Sequence, residues 1–159
     1  MKNMKPFVLM IFVAFFILPS LVLAQEEQEV PQYPPQAIIN AAYMGDVEMV
    51  RFLLSIPHDK DYRDALGGTA LHVAIFSNSR NNLEVIRLLL DNGFDINAIS
   101  KYNGYTPLHY CVWINNLDAA RLLVSYHADR NIRDNNGLTP QEKASREGKR
   151  DMLLILARN

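Results

Sequence analysis

The sequence has one cysteine, Cys111, among its 159 residues. A single cysteine cannot close a disulfide within the chain or supply a cysteine-rich zinc site. An excess of charge of one sign is also missing, because 16 lysines and arginines nearly balance 17 aspartates and glutamates. The basic residues are scattered among the acidic ones, so the chain has no basic field to attract nucleic acid. We therefore expect no internal disulfide and no nucleic-acid binding.

Motifs for catalysis, metals and cofactors are missing too. The four histidines, at positions 58, 72, 109 and 127, show neither H-E-x-x-H nor H-x-x-x-H spacing. No glycine-rich loop that would cradle a phosphate is present. The segment DRNIRDNNG at 129–137 is similar to a calcium loop, but Arg133 stands where an oxygen ligand is needed. We therefore predict no catalytic residue, no metal, no cofactor and no small-molecule substrate.

The longest apolar run lies at the N-terminus. Lys2 and Lys5 precede unbroken apolar residues at 7–18, and small residues at 22 and 24 stand before Gln25. This pattern is typical of a secretory signal peptide, here residues 1–24, cleaved between Ala24 and Gln25. The run is shorter than the roughly 20 residues that a membrane-spanning helix needs. The alternative is an uncleaved segment, which would then be the chain's one contact with a membrane.

These features predict an exported protein, either periplasmic or secreted. Residues 25–35, QEEQEVPQYPP, are polar, acidic and proline-rich, and we interpret them as a flexible leader. The exported domain has no disulfide, so packing alone must stabilise it. The chain contains no Asn-x-Ser/Thr sequon, which favours a bacterial periplasm over a eukaryotic secretory route.

An internal repeat covers the rest of the chain. The line TALHVA at 69–74 recurs as TPLHYC at 106–111 and TPQEKA at 139–144, and QAIINA at 36–41 fits the same frame. Each block continues into a second apolar pattern at helical spacing. One such helix pair cannot bury its apolar face alone, so neighbouring pairs must stack. The predicted domain spans 36–158, with repeats at about 36–63, 64–100, 101–133 and 134–158.

Equivalent positions in the blocks carry residues with the same structural role. A threonine stands where the first helix of each of the last three blocks begins and is a good N-cap, and in the last two blocks a proline at the first helical position suits the helix start. A glycine recurs in each connecting turn, where a positive φ is expected. The structural candidates, including two histidines that share one place, are Thr69, His72, Thr106, Pro107, His109, Thr139, Gly67, Gly104 and Gly137.

The pattern resembles the ankyrin repeat, whose period is close to 33 residues and whose signature includes T-P-L-H-x-A. Residues 106–109 match the first four signature positions, and residues 69–72 match three of them. The resemblance covers 36–158 and implies an all-α solenoid of about four helix-turn-helix repeats joined by β-hairpin-like loops. It also implies that His72 and His109 form hydrogen bonds within and between repeats.

Departures from the pattern carry expectations of their own. His127 stands where Gly93 ends an earlier helix pair, so it needs either a positive φ, at about 1 kcal/mol, or a changed turn. Gln141 and Glu142 replace the Leu-His pair in the last block, where polar residues suit an end repeat. Cys111 shares its position with small alanines of the other blocks, which favours a buried thiol over a nucleophile.

One repeat position predicts a binding surface. In the ankyrin family, the residue seven places after each start faces the concave surface and contacts the partner. Aromatic residues and arginine at such places dominate interface energies. The alternative is that some of these side chains pack inward between repeats. The candidate partner-binding residues are Tyr43, Phe76, Trp113 and Arg146, with Met44 and Ile114 beside them and Tyr102 and Tyr105 in the connecting loop.

The last block has an anomaly on its outer helix. Arg51, Arg87 and Arg121 share a place that should face solvent, but the last block has Leu154 there. This predicts a partner contact or self-association through the C-terminal helix, and the alternative is an imperfect cap.

The sequence as a whole predicts a non-catalytic protein–protein interaction module, exported to the bacterial envelope, that binds a protein through its concave face. A secreted effector that binds a host protein is the first alternative. An enzyme centred on His109 and Cys111 is the second.

Overall fold

The computed structural model of the protein describes residues 33–77 and 79–157. The predicted signal peptide and most of the predicted leader lie outside the described residues. Tyr33–Asn159 form one compact unit. Within the described part of the chain, no helix is long and apolar enough to cross a membrane.

Eight α-helices, and no strand, are present in residues 33–77 and 79–157. They form four consecutive pairs, each with a first, inner helix and a second, outer helix. The pairs are α1 (Gln36–Met44) with α2 (Val47–Ser55), α3 (Ala70–Phe76) with α4 (Asn82–Asp91), α5 (Pro107–Ile114) with α6 (Leu117–Ser125), and α7 (Pro140–Arg146) with α8 (Arg150–Leu156).

The pairs stack in a row. Each inner helix contacts the outer helix of its own pair and the inner helix of the next pair, and the outer helices contact one another in the same order. Each pair thus buries its apolar face against its neighbours, as stacked repeats require. The prediction of an all-α repeat solenoid is confirmed.

The core repeats the same residue position from pair to pair. Ala41, Ala74, Cys111 and Ala144 share one place in the period, and all four are buried. The place is enclosed in the packed core, which suits a small side chain. The thiol of Cys111 fits this place as a small hydrophobic group.

In each loop between pairs a backbone hydrogen bond joins the two arms, and a second one is donated by the glycine N–H within the turn. The Asp64 N–H donates to the Gly68 carbonyl at 2.9 Å, and the Asp134 N–H donates to the Leu138 carbonyl at 2.9 Å. In the middle loop the Ser100 N–H donates to the Tyr105 carbonyl at 2.9 Å, which spans one residue more. The extra residue lengthens this turn without disturbing the helix pairs on either side.

Glycine is required in these loops for two reasons. Gly67 and Gly104 have φ of 76° and 73°, a left-handed conformation that side chains disfavour. A Cβ at Gly104 would also lie 2.6 Å from the backbone nitrogen of Asn135 in the next loop. His127 adopts a φ of 62°. Of the two expected outcomes, a positive φ or a changed turn, the positive φ is the one observed.

Candidate functional site

His72 joins the start of α3 to the following repeat. Its Nδ1 accepts a hydrogen bond from the Thr69 backbone N–H at 3.2 Å, which assigns the proton to Nε2. The Nε2–H then donates to the Tyr105 carbonyl at 3.2 Å, one repeat further on. Burial lowers the pKa of His72 to about 4, so its ring is neutral at pH 7.

His109 makes the same contacts one repeat later. Its Nδ1 accepts from the Thr106 N–H at 3.2 Å, and its Nε2–H donates to the Leu138 carbonyl at 3.0 Å. Burial lowers its pKa as well. In each of the two histidines, Nδ1 thus bonds within its own repeat and Nε2–H bonds to the next repeat, as the resemblance implied for this position.

The last block keeps the cap at the start of its first helix, with Glu142 in the place that histidine occupies in the two preceding blocks. The Thr139 N–H donates to Glu142 Oε2 at 2.9 Å, and the Glu142 N–H donates to Thr139 Oγ1 at 3.2 Å. The bond from the Thr139 N–H lowers the pKa of Glu142. The sequence interpretation treated Glu142 only as a polar end residue. The T-x-x-E pattern of a capping box was the signal that could have revealed its role.

The enzyme alternative would place a reactive centre at Cys111. This side chain is fully buried, and burial raises the pKa of its thiol. A buried, protonated thiol is a poor nucleophile. Among residues 33–77 and 79–157, no group of three or more His, Cys, Asp or Glu side chains could hold a metal ion.

An apolar groove lies over the first three inner helices and the loops that precede α3 and α5. Its volume is about 240 Å³. We call it the aromatic groove, and we define it by six of its lining residues. These are Tyr43, Val73, Phe76, Tyr102, Tyr110 and Trp113.

Ring contacts hold part of the aromatic groove in place. The rings of Phe76 and Trp113 stack with centroids 5.9 Å apart, and Tyr110 meets Trp113 edge to face at 5.9 Å. Tyr110 in turn meets the ring of His72 edge to face at 5.1 Å. This side of the groove is therefore positioned by the same histidine that links the repeats.

The predicted surface residues divide into two groups. Tyr43, Phe76, Tyr102 and Trp113 come together in the aromatic groove. The exposed fractions of Tyr43, Phe76 and Trp113 are 52%, 48% and 49%, so each ring is half open to solvent. These four residues occur in three successive repeats, and the fold converts their sequence spacing into one surface.

The other predicted residues lie outside the groove. Tyr105 is half-buried, because its ring stacks on His109 at 5.5 Å and lies under the Lys143 ammonium at 4.8 Å. For Tyr105 the inward-packing alternative therefore describes the structure. Met44 and Arg146 are exposed, and Ile114 is half-buried against the core.

The sequence interpretation missed Tyr110 and Val73, which also line the groove. Both lie four residues after their repeat starts, one helical turn before Phe76 and Trp113. Positions three apart share a helix face. The same alignment that selected the seventh position could therefore have selected these residues.

Charge is unevenly distributed over the inner helices. The helices α1, α3 and α5 contain no Asp, Glu, Lys or Arg. Charged side chains first appear on α7, where Lys143 pairs with Glu147 at 2.8 Å. The aromatic groove therefore lies on an uncharged face across three repeats.

The outer face has one exposed apolar side chain at the predicted place. Leu154 on α8 is 69% exposed, whereas Met152 and Ile155 beside it are buried. A shallow pocket of about 220 Å³ next to Leu154 is also lined by Leu117 and Arg121.

Known proteins with ankyrin repeats match this chain. A family model described as ankyrin repeats (3 copies) matches residues 9–100 and 79–159. The first range includes residues that the sequence pattern assigns to a signal peptide. The chain is 37% identical over 127 residues to an ankyrin repeat protein of Rickettsia bellii (strain RML369-C), covering 77% of this chain and 66% of that protein.

Two further relatives are much longer than the region they share. BCL-6 corepressor-like protein 1 of Homo sapiens is 33% identical over 136 residues, which cover 77% of this chain and 7% of that protein. An ankyrin repeat protein of Acanthamoeba polyphaga mimivirus is 33% identical over 105 residues, which cover 64% of this chain and 13% of that protein. The chain thus spans less than two thirds of each of these relatives.

Proposed function

The chain belongs to the ankyrin-repeat family, and on this premise we propose that it binds a protein partner through the aromatic groove on its concave face. Ankyrin repeats are protein–protein interaction modules, and a non-catalytic role fits a fold whose histidines are structural. The observation that carries the proposal is the cluster of half-exposed rings from three successive repeats.

The energetics of interfaces support this assignment. Exposed apolar patches on a folded domain commonly mark interaction surfaces. Tyrosine and tryptophan are the side chains whose truncation most often costs about 2 kcal/mol or more of binding. Phe76 and Trp113 are already fixed against each other, so binding orders fewer side chains at the interface.

We infer the cellular location from the N-terminal pattern alone. The proposal is export to the bacterial envelope, with cleavage between Ala24 and Gln25. N-terminal sequencing of the protein from cells should begin at Gln25, whereas an intact Met1 terminus contradicts cleavage. Recovery from the culture medium instead of the envelope would favour a secreted effector that binds a host protein.

A direct test of the binding surface is capture from an envelope extract. The wild type is compared with a triple variant, Tyr43→Ala, Phe76→Ala and Trp113→Ala. A matched control carries Met49→Ala, Phe52→Ala and Tyr126→Ala, three exposed side chains that do not line the groove. We expect a partner that the wild type and the control recover and the groove variant loses. Equal recovery of every partner by all three proteins would exclude the aromatic groove as the binding site.

A second surface is favoured by the exposure of Leu154. Its place is occupied by arginine in the three preceding repeats, so an apolar residue there is a local departure. We propose self-association through α8, separate from the partner site on the inner helices.

A further inference from the structure

The aromatic groove has hydrogen-bond donors with no partner in the part of the chain that the structure describes. The hydroxyls of Tyr43, Tyr102 and Tyr110 and the indole N–H of Trp113 bond to no other residue among those described. Any segment that covers these groups must offer acceptors, because a donor buried without an acceptor costs about 1–3 kcal/mol. An occupant with free carbonyl groups therefore fits the groove better than a purely apolar one.

The groove also excludes charge. The lining residue that carries a charge is Asp64, and its Oδ1 already accepts the backbone N–H groups of Leu66 and Gly68 at 2.9 and 2.8 Å. The inner helices beneath supply no counter-charge. A glutamate on the occupant would be desolvated without a partner, and a lysine could pair only with Asp64. The occupant should therefore be uncharged where it meets the rings.

Three modes of peptide recognition can be compared with these features. Strand addition needs a sheet edge, and no strand is present in the described part of the chain. A helix bonds its own carbonyls internally, so it would leave the groove donors unsatisfied. A polyproline II segment has no internal hydrogen bonds, and its carbonyls are free to accept.

The spacing of the repeats agrees with the third mode. Every third residue of polyproline II faces the same side, at intervals of about 9 Å. Packed helices lie about 8–10 Å apart. A polyproline II segment crossing the inner helices would therefore present one side chain to each repeat. Flat proline rings are also the usual occupants of grooves lined by aromatic side chains.

We propose that the partner segment bound in the aromatic groove is uncharged and proline-rich, and that it binds as a polyproline II helix. The proposal rests on the proposed function and names the chemistry of the partner. The chain's own residues 30–35, VPQYPP, have a similar composition. Tyr33 of that segment packs against Phe52 on α2, with ring centroids 5.4 Å apart, and the proposal places a segment of another protein in the groove.

The single tryptophan makes the proposal measurable, because Trp113 lies in the groove and reports its occupancy by fluorescence. The probe is a peptide of the pattern P-x-x-P-x-x-P with uncharged residues between the prolines. The comparison probe is a leucine-rich amphipathic helical peptide of equal length. We expect a saturable change in Trp113 fluorescence with the first probe and none with the second.

A pair of hydroxyl deletions tests the donor argument. Tyr102→Phe keeps the ring and should lower the affinity for the proline-rich probe about two- to tenfold, the effect of one hydrogen bond. The matched control is Tyr126→Phe, because the Tyr126 hydroxyl bonds Asp91 away from the groove. The affinity of this variant for the proline-rich probe should equal that of the wild type. Because Tyr102 is 75% exposed, its variant is expected to fold normally.

Each other outcome overturns the inference. A response to the helical probe alone, a response to neither probe, or equal affinity of Tyr102→Phe and wild type would each do so. Failure here is distinguishable from failure of the proposed function. If a partner is still captured through the groove in the extract experiment, the binding surface stands and only the polyproline assignment is lost.

Discussion

Acidification should destabilise the fold through His72. Burial lowers the pKa of this ring to about 4 in the folded protein, from a usual value near 6.5. Between these two values the unfolded chain binds a proton at this position and the folded chain does not. The contribution of the neutral His72 to the free energy of unfolding is therefore fully present above pH 6.5, and it is lost as the pH is lowered towards 4.

The size of the effect follows from the two pKa values. The difference of 2.5 between 6.5 and 4 corresponds to about 3 kcal/mol when titration is complete. Between pH 7.5 and pH 5, the loss attributable to His72 is about 2 kcal/mol. His109 acts in the same direction, because burial lowers its pKa as well.

Urea unfolding followed by far-UV circular dichroism at the two pH values measures this loss. The matched variant is His72→Gln, because glutamine can serve the capping box at this position and does not titrate. Every other titrating group contributes to the pH dependence of unfolding in both proteins, so the difference between them isolates the contribution of His72. The wild type should lose about 2 kcal/mol more than the variant. Equal losses would refute a neutral, buried His72.

Three other predictions concern the loops, the outer face and the core. Gly104→Ala should lower the unfolding free energy by about 2–4 kcal/mol, because a positive φ and a backbone clash combine. Gly137→Ala has the same φ without a neighbour within 4 Å, so it should lose only about 1–2 kcal/mol in the same urea assay. Leu154→Arg, which restores the residue of the other repeats, should abolish self-association in sedimentation equilibrium; a wild type that is monomeric at every concentration contradicts this. Cys111 should react with a thiol reagent only after urea unfolds the chain, and fast labelling of the native protein would revive the enzyme alternative.

The repeat period made much of the fold predictable. Thr106 and His109 could be assigned a shared structural role because His72 and Thr69 stand at the same places in the previous repeat. The positive φ of His127 was one of the two outcomes that Gly93 at the same place indicated. Such inferences work because each helix pair packs on an almost identical neighbour.

The binding surface was predictable only in part. Tyr105 had been expected on the surface, but His109 and Lys143 from two different repeats enclose its ring. Tyr110 lines the groove one helical turn before Trp113 and meets it edge to face, so the repeat alignment could have revealed it. For Tyr105 the Lys143 contact comes from the next repeat, and the position within one repeat does not reveal such a contact.

Photocrosslinking in living cells can show whether a partner protein lies against the aromatic groove. Benzoylphenylalanine would replace Tyr43 in the aromatic groove and, as the control, Phe52 on the outer helix α2. One partner protein should be crosslinked from position 43 and not from position 52, and this crosslink should be lost when Trp113→Ala is added. Crosslinking from position 52 alone, or from neither position, would contradict binding through the aromatic groove.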